Sequence, residues 1–348
     1  MKLKKLSFNK ILELKNFKKI ELPQVVQSKD ILKRSGETFR KNMFSFYDKK
    51  NLTEWALRPD MTICSAILMK NIKKRKKIYY EGNSYQMPLD KIKSPIKRQQ
   101  GFEIFYSKNK HLDDKEILET SLKILKNSNF KKKAVLKLNN IEIFDALVNR
   151  LENFPKRWKE RVRRHLSRRQ YFSQLLKTLS TNADIDEKVV DKDKRLAKKL
   201  RKKNQQEIYA GRSLKEILDR FDIKMKSPRT IETKKNSKII NDYLKIQCPI
   251  EEAPKKLNKF FKENNLNLVI SSDFFPLKKN YQNNVKILFS TDIGRNVEYY
   301  TGMAFQVDIK INGSKETYIS GGRFNELLKF LGYKRCPAVG AAVNLNLI

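Results

Sequence analysis

The stretch "RQQGFEIFY", Arg98 to Tyr106, alternates as a strand does. Gln99, Gly101 and Glu103 fall on one face, and Gln100, Phe102 and Ile104 on the other. An amide, a gap and a carboxylate in a row describe one wall of a small polar pocket. Two further clusters supply the rest. "LRPDMT" sets Arg58, Asp60 and Thr62 at the end of a strand, and "GRNVEYYTG" carries Arg295, Tyr299 and Tyr300 ahead of Gly321 and Gly322. Asp60 and Gln99 can accept hydrogen bonds from an ammonium group, and Thr62 adds a hydroxyl. Arg295 can pair with a carboxylate. Glu103 can accept the N–H of a small heterocycle, which a tyrosine orients by its hydroxyl or its face. Gly101 leaves room for a ligand beside the strand. Each residue alone is an ordinary surface or structural group. Together they describe a site for an amino-acid zwitterion with a ring N–H, which is free histidine.

The chain has 348 residues, enough for one large domain or a core with an inserted unit. Its hydrophobic share of 39% is that of a folded protein. The net charge of +39 raises a nucleic-acid surface as one reading. Lys and Arg are spread along the whole chain, however, which reads as a lysine-rich composition covering solvated faces. Cys64, Cys248 and Cys336 lie far apart and form no CxxC pair, and the histidines are His111 and His165. Neither a disulfide framework nor a metal site is expected, and no cofactor is implied. No apolar run is long enough to span a bilayer. The basic N-terminus lacks the apolar stretch of a signal peptide, so a cytoplasmic protein is expected.

The elements that must position these residues follow from periodicity. Residues 1–22 read as a basic amphipathic helix through Phe8, Ile11 and Leu12. "MFSFYDKKNLTEWALRPDMT" reads as a β-hairpin turning at Asp48–Asn51, followed by a helix from about Thr62 to Lys73. "KIYYEGNSY" and "KRQQGFEIFY" are two strands joined by the polar loop Gln86–Lys97. Asp113 is expected to cap a helix running to Leu125, with Glu116 closing a capping box. "AVLKLNN" reads as a strand and "EIFDALVNRL" as a helix. Residues 152–235 are rich in Lys, Arg, Gln and Leu and read as a helical insertion into a core of 1–151 and 236–348. The cluster Arg157 to Arg169 suits either phosphate contact or a solvated face. Beyond it, "APKKLNKFFKENN" reads as a helix, and "NLVISSDFF", "VKILFSTDI", "MAFQVDIKI" and "ETYIS" as strands. "GGRFNELLKFLG" reads as a glycine turn and a helix ending at Gly332.

The stretches "VVQSKDILKRSGETFRKNMFSFYD", "ALRPDMT", "RQQGFEIFY", "GRNVEYYTGMAFQVDI", "GGRFNELLKFLG" and "PAVGAAV" resemble the class II catalytic core of histidyl-tRNA synthetases. They resemble more its non-aminoacylating paralogue, the ATP phosphoribosyltransferase regulatory subunit. The resemblance covers about 20–150 and 236–348. It implies an α+β fold, a class II aminoacyl-tRNA synthetase-like antiparallel sheet flanked by helices, that dimerises around Pro23 to Tyr47. It also implies that Asp60, Thr62 and Gln99 meet the α-amine of histidine, that Glu103 and Tyr300 meet the imidazole with Tyr299 nearby, and that Arg295 meets the carboxylate.

Two departures from the synthetase pattern direct the functional expectation. The arginine expected before the motif 2 loop falls on Tyr85 in a gap-free count, and no arginine occurs from Lys76 to Lys97. The arginine expected in the last motif falls on Leu347. Without those planar cations a triphosphate has no clamp. The chain also ends at Ile348, where synthetases continue into an anticodon-binding domain. The resemblance therefore implies a non-catalytic regulatory subunit for the first step of histidine biosynthesis. It would assemble, as a homodimer within a larger hetero-oligomer, with the short-form ATP phosphoribosyltransferase catalytic subunit. Activation of that partner and feedback inhibition by histidine are its expected roles, and neither membrane nor nucleic acid is an expected partner. A truncated histidine-activating enzyme and a basic RNA-binding module on the same scaffold are the rival readings.

Overall fold

The strand read from Arg98 to Tyr106 lies inside a nine-stranded sheet. The structure, a computed structural model, describes residues 6–35, 37–88, 94–130, 134–180, 187–209, 211–225, 230–277, 285–295 and 297–348. These form two units, one of Met1–Ile143, Ile246–Lys259 and Val269–Ile348, the other of Phe144–Lys245 and Phe260–Leu268. The sequence places its insertion at 152–235.

The chain opens with α1 (Phe8–Leu14), β1 (Lys18–Lys19), β2 (Val25–Gln27), α2 (Ser28–Ser35), α3 (Glu37–Arg40), β3 (Ser45–Tyr47) and β4 (Glu54–Leu57). It continues through α4 (Met61–Leu68), β5 (Lys76–Tyr85), β6 (Ile96–Phe105), α5 (Lys110–Asn127), β7 (Ala134–Asn140) and α6 (Ile141–Arg150). Then come α7 (Lys156–His165), α8 (Arg169–Leu179), α9 (Glu187–Leu200), β8 (Ile208–Tyr209), β9 (Arg212–Ser213), α10 (Leu214–Met225) and α11 (Ile231–Tyr243). The last stretch holds β10 (Gln247–Pro249), α12 (Ala253–Glu263), β11 (Lys286–Ser290), β12 (Met303–Ile311), β13 (Ser314–Arg323), α13 (Leu327–Phe330) and β14 (Ala338–Asn344).

The large sheet has the order β1-β5-β6-β14-β13-β12-β7-β11-β10. From β5 to β7 every pairing is antiparallel, and β1 and β11 join in parallel. One face of β6 is apolar, with Phe102 and Ile104 fully buried. Phe17 meets the Phe102 ring edge-on at 5.8 Å. The other face carries Gln99, Gly101 and Glu103, and α4 lies against it, since Ser65 of α4 bonds Glu103. A smaller sheet, β2-β4-β3, holds the expected hairpin. Phe46 and Tyr47 on it are exposed.

Several element boundaries differ from the sequence expectation, and short polar side chains account for most of them. The N-terminal helix stops at Leu14 instead of near residue 22. Asn16 adopts a left-handed conformation (φ 61°), and the Phe17 amide returns to the Leu12 carbonyl at 3.0 Å. Asn109, not Asp113, caps α5, accepting from the Leu112 amide at 3.1 Å. Asp113 is buried inside that helix and pairs with Arg75 at 2.6 Å. "NLVISSDFF" forms no strand, because Asn258 binds both the amide and the carbonyl of Ile270 (2.7 and 3.0 Å), the groups a ladder would need. Helix α4 ends at Leu68. Gly321 and Gly322 lie within β13, and the helix after them is only Leu327–Phe330.

In the second unit, Phe144 meets Phe172 and Tyr243 at ring distances of 6.3 and 5.9 Å. The Ser237 hydroxyl donates to the Leu176 carbonyl at 2.8 Å, tying α11 to α8. The indole of Trp158, buried on α7, is flanked by the guanidinium groups of Arg157 and Arg161. The β8–β9 hairpin was not evident in the helical pattern of the sequence.

Candidate functional site

The register of the sheet brings one row of residues under a cavity. Tyr80 of β5 pairs with Gly101 of β6, Gly101 with Ala342 of β14, and Ala342 with Ser320 of β13. Tyr80, Ala342 and Ser320 line the cavity. So do Asp60, Thr62, Gln99, Tyr299 and Tyr300, five of the seven residues picked out by chemistry in the sequence.

Asp60 is held twice. Its Oδ1 accepts from the Ile63 amide at 2.9 Å, capping α4, and its Oδ2 accepts from the Tyr299 hydroxyl at 3.2 Å. Burial raises its pKa above the ordinary carboxylate value, while those two bonds pull the other way. Arg58, grouped with Asp60 in the sequence, is buried away from the cavity wall. Its guanidinium donates to the carbonyls of Leu22 (2.7 Å) and Asn83 (2.6 Å) and ties down the entry to α4.

Glu103 is 2% exposed and does not line the cavity among the described residues; it lies behind Tyr80, which does. The Tyr80 hydroxyl donates to Oε1 at 2.8 Å, and the Ser65 hydroxyl donates to Oε2. Burial pushes Glu103 up to about 7, against the neighbouring hydroxyls of Ser65, Tyr80 and Thr62, and the nearby Asp60 adds to the rise. The phenols of Tyr80, Tyr299 and Tyr300 are all raised, by burial first and then by the neighbouring carboxyls.

Two glycines make this packing possible. A Cβ on Gly101 would lie 2.3 to 2.5 Å from the Tyr80 ring and hydroxyl. The gap in the β6 row is thus filled by Tyr80, whereas the sequence reading left it open for a ligand. A Cβ on Gly340 would lie 2.5 Å from Cγ of Glu103.

Arg295 stands apart. It does not line the cavity among the described residues, and its Nη1 lies 3.2 Å from Asp292. The cation that does line it is Lys97, on the same face of β6 as Gln99 and next to Ser84 across the β5–β6 ladder. Gln86, whose amide donates to the Pro59 carbonyl at 2.7 Å, completes that end. Lys97, Ser65 and Tyr80 were not among the residues identified from sequence. Ser65 could have been, because it lies three residues after Thr62 on one helix face. Tyr80 could not, because its place over Gly101 depends on strand register.

The antiparallel sheet, with the cavity on one face beside α4, defines a class II aminoacyl-tRNA synthetase-like fold. The chain belongs to the histidyl-tRNA synthetase family, whose model matches residues 6–348. It is 27% identical over 348 residues to a histidine–tRNA ligase of Sulfurisphaera tokodaii, covering 98% of this chain and 68% of that protein. It is 22% identical over 354 residues to an ATP phosphoribosyltransferase regulatory subunit of Sinorhizobium fredii, covering 95% of this chain and 91% of that one. Among solved structures, an ATP phosphoribosyltransferase regulatory subunit/histidyl-tRNA synthetase from Bacillus halodurans superposes with a TM-score of 0.59 at 16% identity, over 98% of this chain and 75% of that one. A histidine–tRNA ligase subunit from Alicyclobacillus acidocaldarius gives 0.55 at 17% identity, over 98% and 88%. The two structures share the fold with this chain.

Proposed function

We propose that this chain is a non-catalytic regulatory subunit acting at the first step of histidine biosynthesis. In this reading it binds free histidine in the cavity and assembles in the cytoplasm with the short-form ATP phosphoribosyltransferase catalytic subunit. It activates that subunit and conveys feedback inhibition by histidine. Asp60, Thr62 and Gln99 receive the α-amine, and Glu103, Tyr299 and Tyr300 enclose the ring. Lys97 takes the carboxylate, a role the resemblance gives to Arg295. Histidine regulates the complex by binding one assembly state more tightly than another, since equal affinity for both would shift nothing.

The observation that carries this reading is the make-up of the cavity wall. It offers one acid, two amides and three phenols to an amine and a ring N–H, and no guanidinium lines it among the described residues. The sequence likewise has no arginine from Lys76 to Lys97. A lysine offers a triphosphate only a point charge, without bidentate geometry. Relatives named as regulatory subunits match this chain over more than nine-tenths of their own length. The 27% identity to a histidine–tRNA ligase favours a second reading, an enzyme that activates histidine. Histidine-dependent exchange of pyrophosphate into ATP separates the two. The regulatory subunit binds histidine and shows no exchange, and exchange by the pure chain would establish the enzyme.

A further inference from the structure

Two hydrogen-bonded groups stand in and behind the cavity wall. Tyr299 donates to Asp60. Tyr80 and Ser65 each donate to one oxygen of Glu103. The first group holds the acid proposed for the amine, and the second the acid proposed for the ring. Among the described residues no cation balances Glu103 at hydrogen-bond range. Its surroundings are Asp60 and the Cys64 thiol on α4, Tyr80 on β5, and Tyr300 beside Tyr299, while β14 presents Gly340. The Arg58 guanidinium acts on Cys64, and its Nε and Nη1 donate to backbone carbonyls.

We propose that Tyr80 and Ser65 are positioning residues for Glu103, and that their two hydroxyls make the binding of a ring N–H donor here a proton-releasing event. The inference rests on the reading of this cavity as a histidine site. Both hydroxyls point their hydrogens at the carboxyl oxygens, so they favour the charged form, which burial opposes. A ring N–H is accepted more strongly by the carboxylate than by the acid, which has one oxygen turned donor. In the empty site Glu103 is therefore partly protonated near neutral pH, and the incoming donor drives that proton out to solvent. Without either hydroxyl the carboxylate is harder to form and the same ligand binds well only at higher pH.

The test is calorimetry of L-histidine binding to the full chain from pH 6 to 9, in two buffers of different ionisation enthalpy. With Glu103 near 7, the dissociation constant should fall at least about tenfold from pH 6 to 8. Roughly half to one proton should be released per site at pH 7. Tyr80→Phe and Ser65→Ala should each raise the midpoint by about one pH unit. That shift weakens binding about fivefold at pH 7, and binding returns to the native value when the two are compared at pH 9. A purely structural role would weaken binding equally at every pH. A pH-independent dissociation constant, or unchanged midpoints in both variants, overturns the inference while leaving the histidine site standing. Should either variant fail to fold, the proton count on the native chain decides alone, and zero release overturns it. Histidine that fails to bind the native chain at any pH removes the reading beneath it as well.

Discussion

The hydroxyl of Tyr299 donates to Oδ2 of Asp60 at 3.2 Å, although 239 positions separate them in the chain. This bond fastens the "EYYTG" segment to the first turn of α4, whose cap is the other oxygen of the same carboxylate. One acid thus serves the fold and faces the cavity. In the proposed histidine site, a ligand ammonium at Asp60 would compete with Tyr299 for one oxygen, which would give binding a route to moving that segment.

The packing of Tyr80 on Gly101 predicts that Gly101→Ala is costly. The added carbon would lie within 2.5 Å of the ring, so Tyr80 must leave Glu103. A loss of about 1–3 kcal/mol in urea unfolding is expected, with weaker histidine binding in calorimetry. Unchanged stability and affinity would show that Tyr80 has another place to go at little cost.

Glu103 predicts a pH dependence of stability. Its folded-state pKa is raised from 4.5 to about 7, so the folded chain holds the proton more tightly than the unfolded chain. The resulting stabilisation is fully present below about pH 4.5 and is lost as pH rises through about 7. Between those limits this group costs on the order of 3 kcal/mol. Glu103→Gln should match the native chain near pH 5 and be the more stable of the two at pH 8. Denaturant melts at both values read this directly, and parallel pH profiles for the two proteins would contradict it.

Lys97 lines the cavity and Arg295 pairs with Asp292, so the two cations should differ in effect. Lys97→Met should weaken histidine about five- to tenfold, in line with one charge-assisted contact, and should leave histidinol, which lacks the carboxylate, within twofold. Arg295→Met should alter neither. The reverse pattern would return the carboxylate to Arg295.

Phe46 and Tyr47 are 47% and 64% exposed on the small sheet, and Leu52 in the adjoining turn is 77% exposed. Exposed apolar groups of this kind suit a contact surface, and the resemblance implies dimerisation around Pro23 to Tyr47. Phe46→Glu combined with Tyr47→Glu should halve the mass seen in light scattering with little loss of stability. A native chain that is already monomeric would refute the assignment.

Much of the core was legible because the strands carry their own period. β5, β6, β7, β11 and β12 follow the alternation or β-branched content of their sequences. The candidate residues were legible by chemical type, and the sheet brings Asp60, Thr62, Gln99, Tyr299 and Tyr300 around one cavity. Element ends were harder, since Asn16, Asn109 and Asn258 act through one or two local bonds that periodicity does not register. Tyr80 was hidden for a different reason. It becomes part of the site only because β5 meets β6 with Tyr80 opposite Gly101, and a slip of one residue would turn it to the other face.

The central claim is that this chain regulates a transferase and performs no chemistry itself. Its most direct test is the rate of phosphoribosyl transfer by the short-form catalytic subunit, measured alone, with this chain, and with this chain plus histidine. The account predicts co-purification of the two proteins, a faster rate when both are present, and loss of that gain when histidine is added. An unchanged rate, in a mixture that also fails to co-purify, would contradict it.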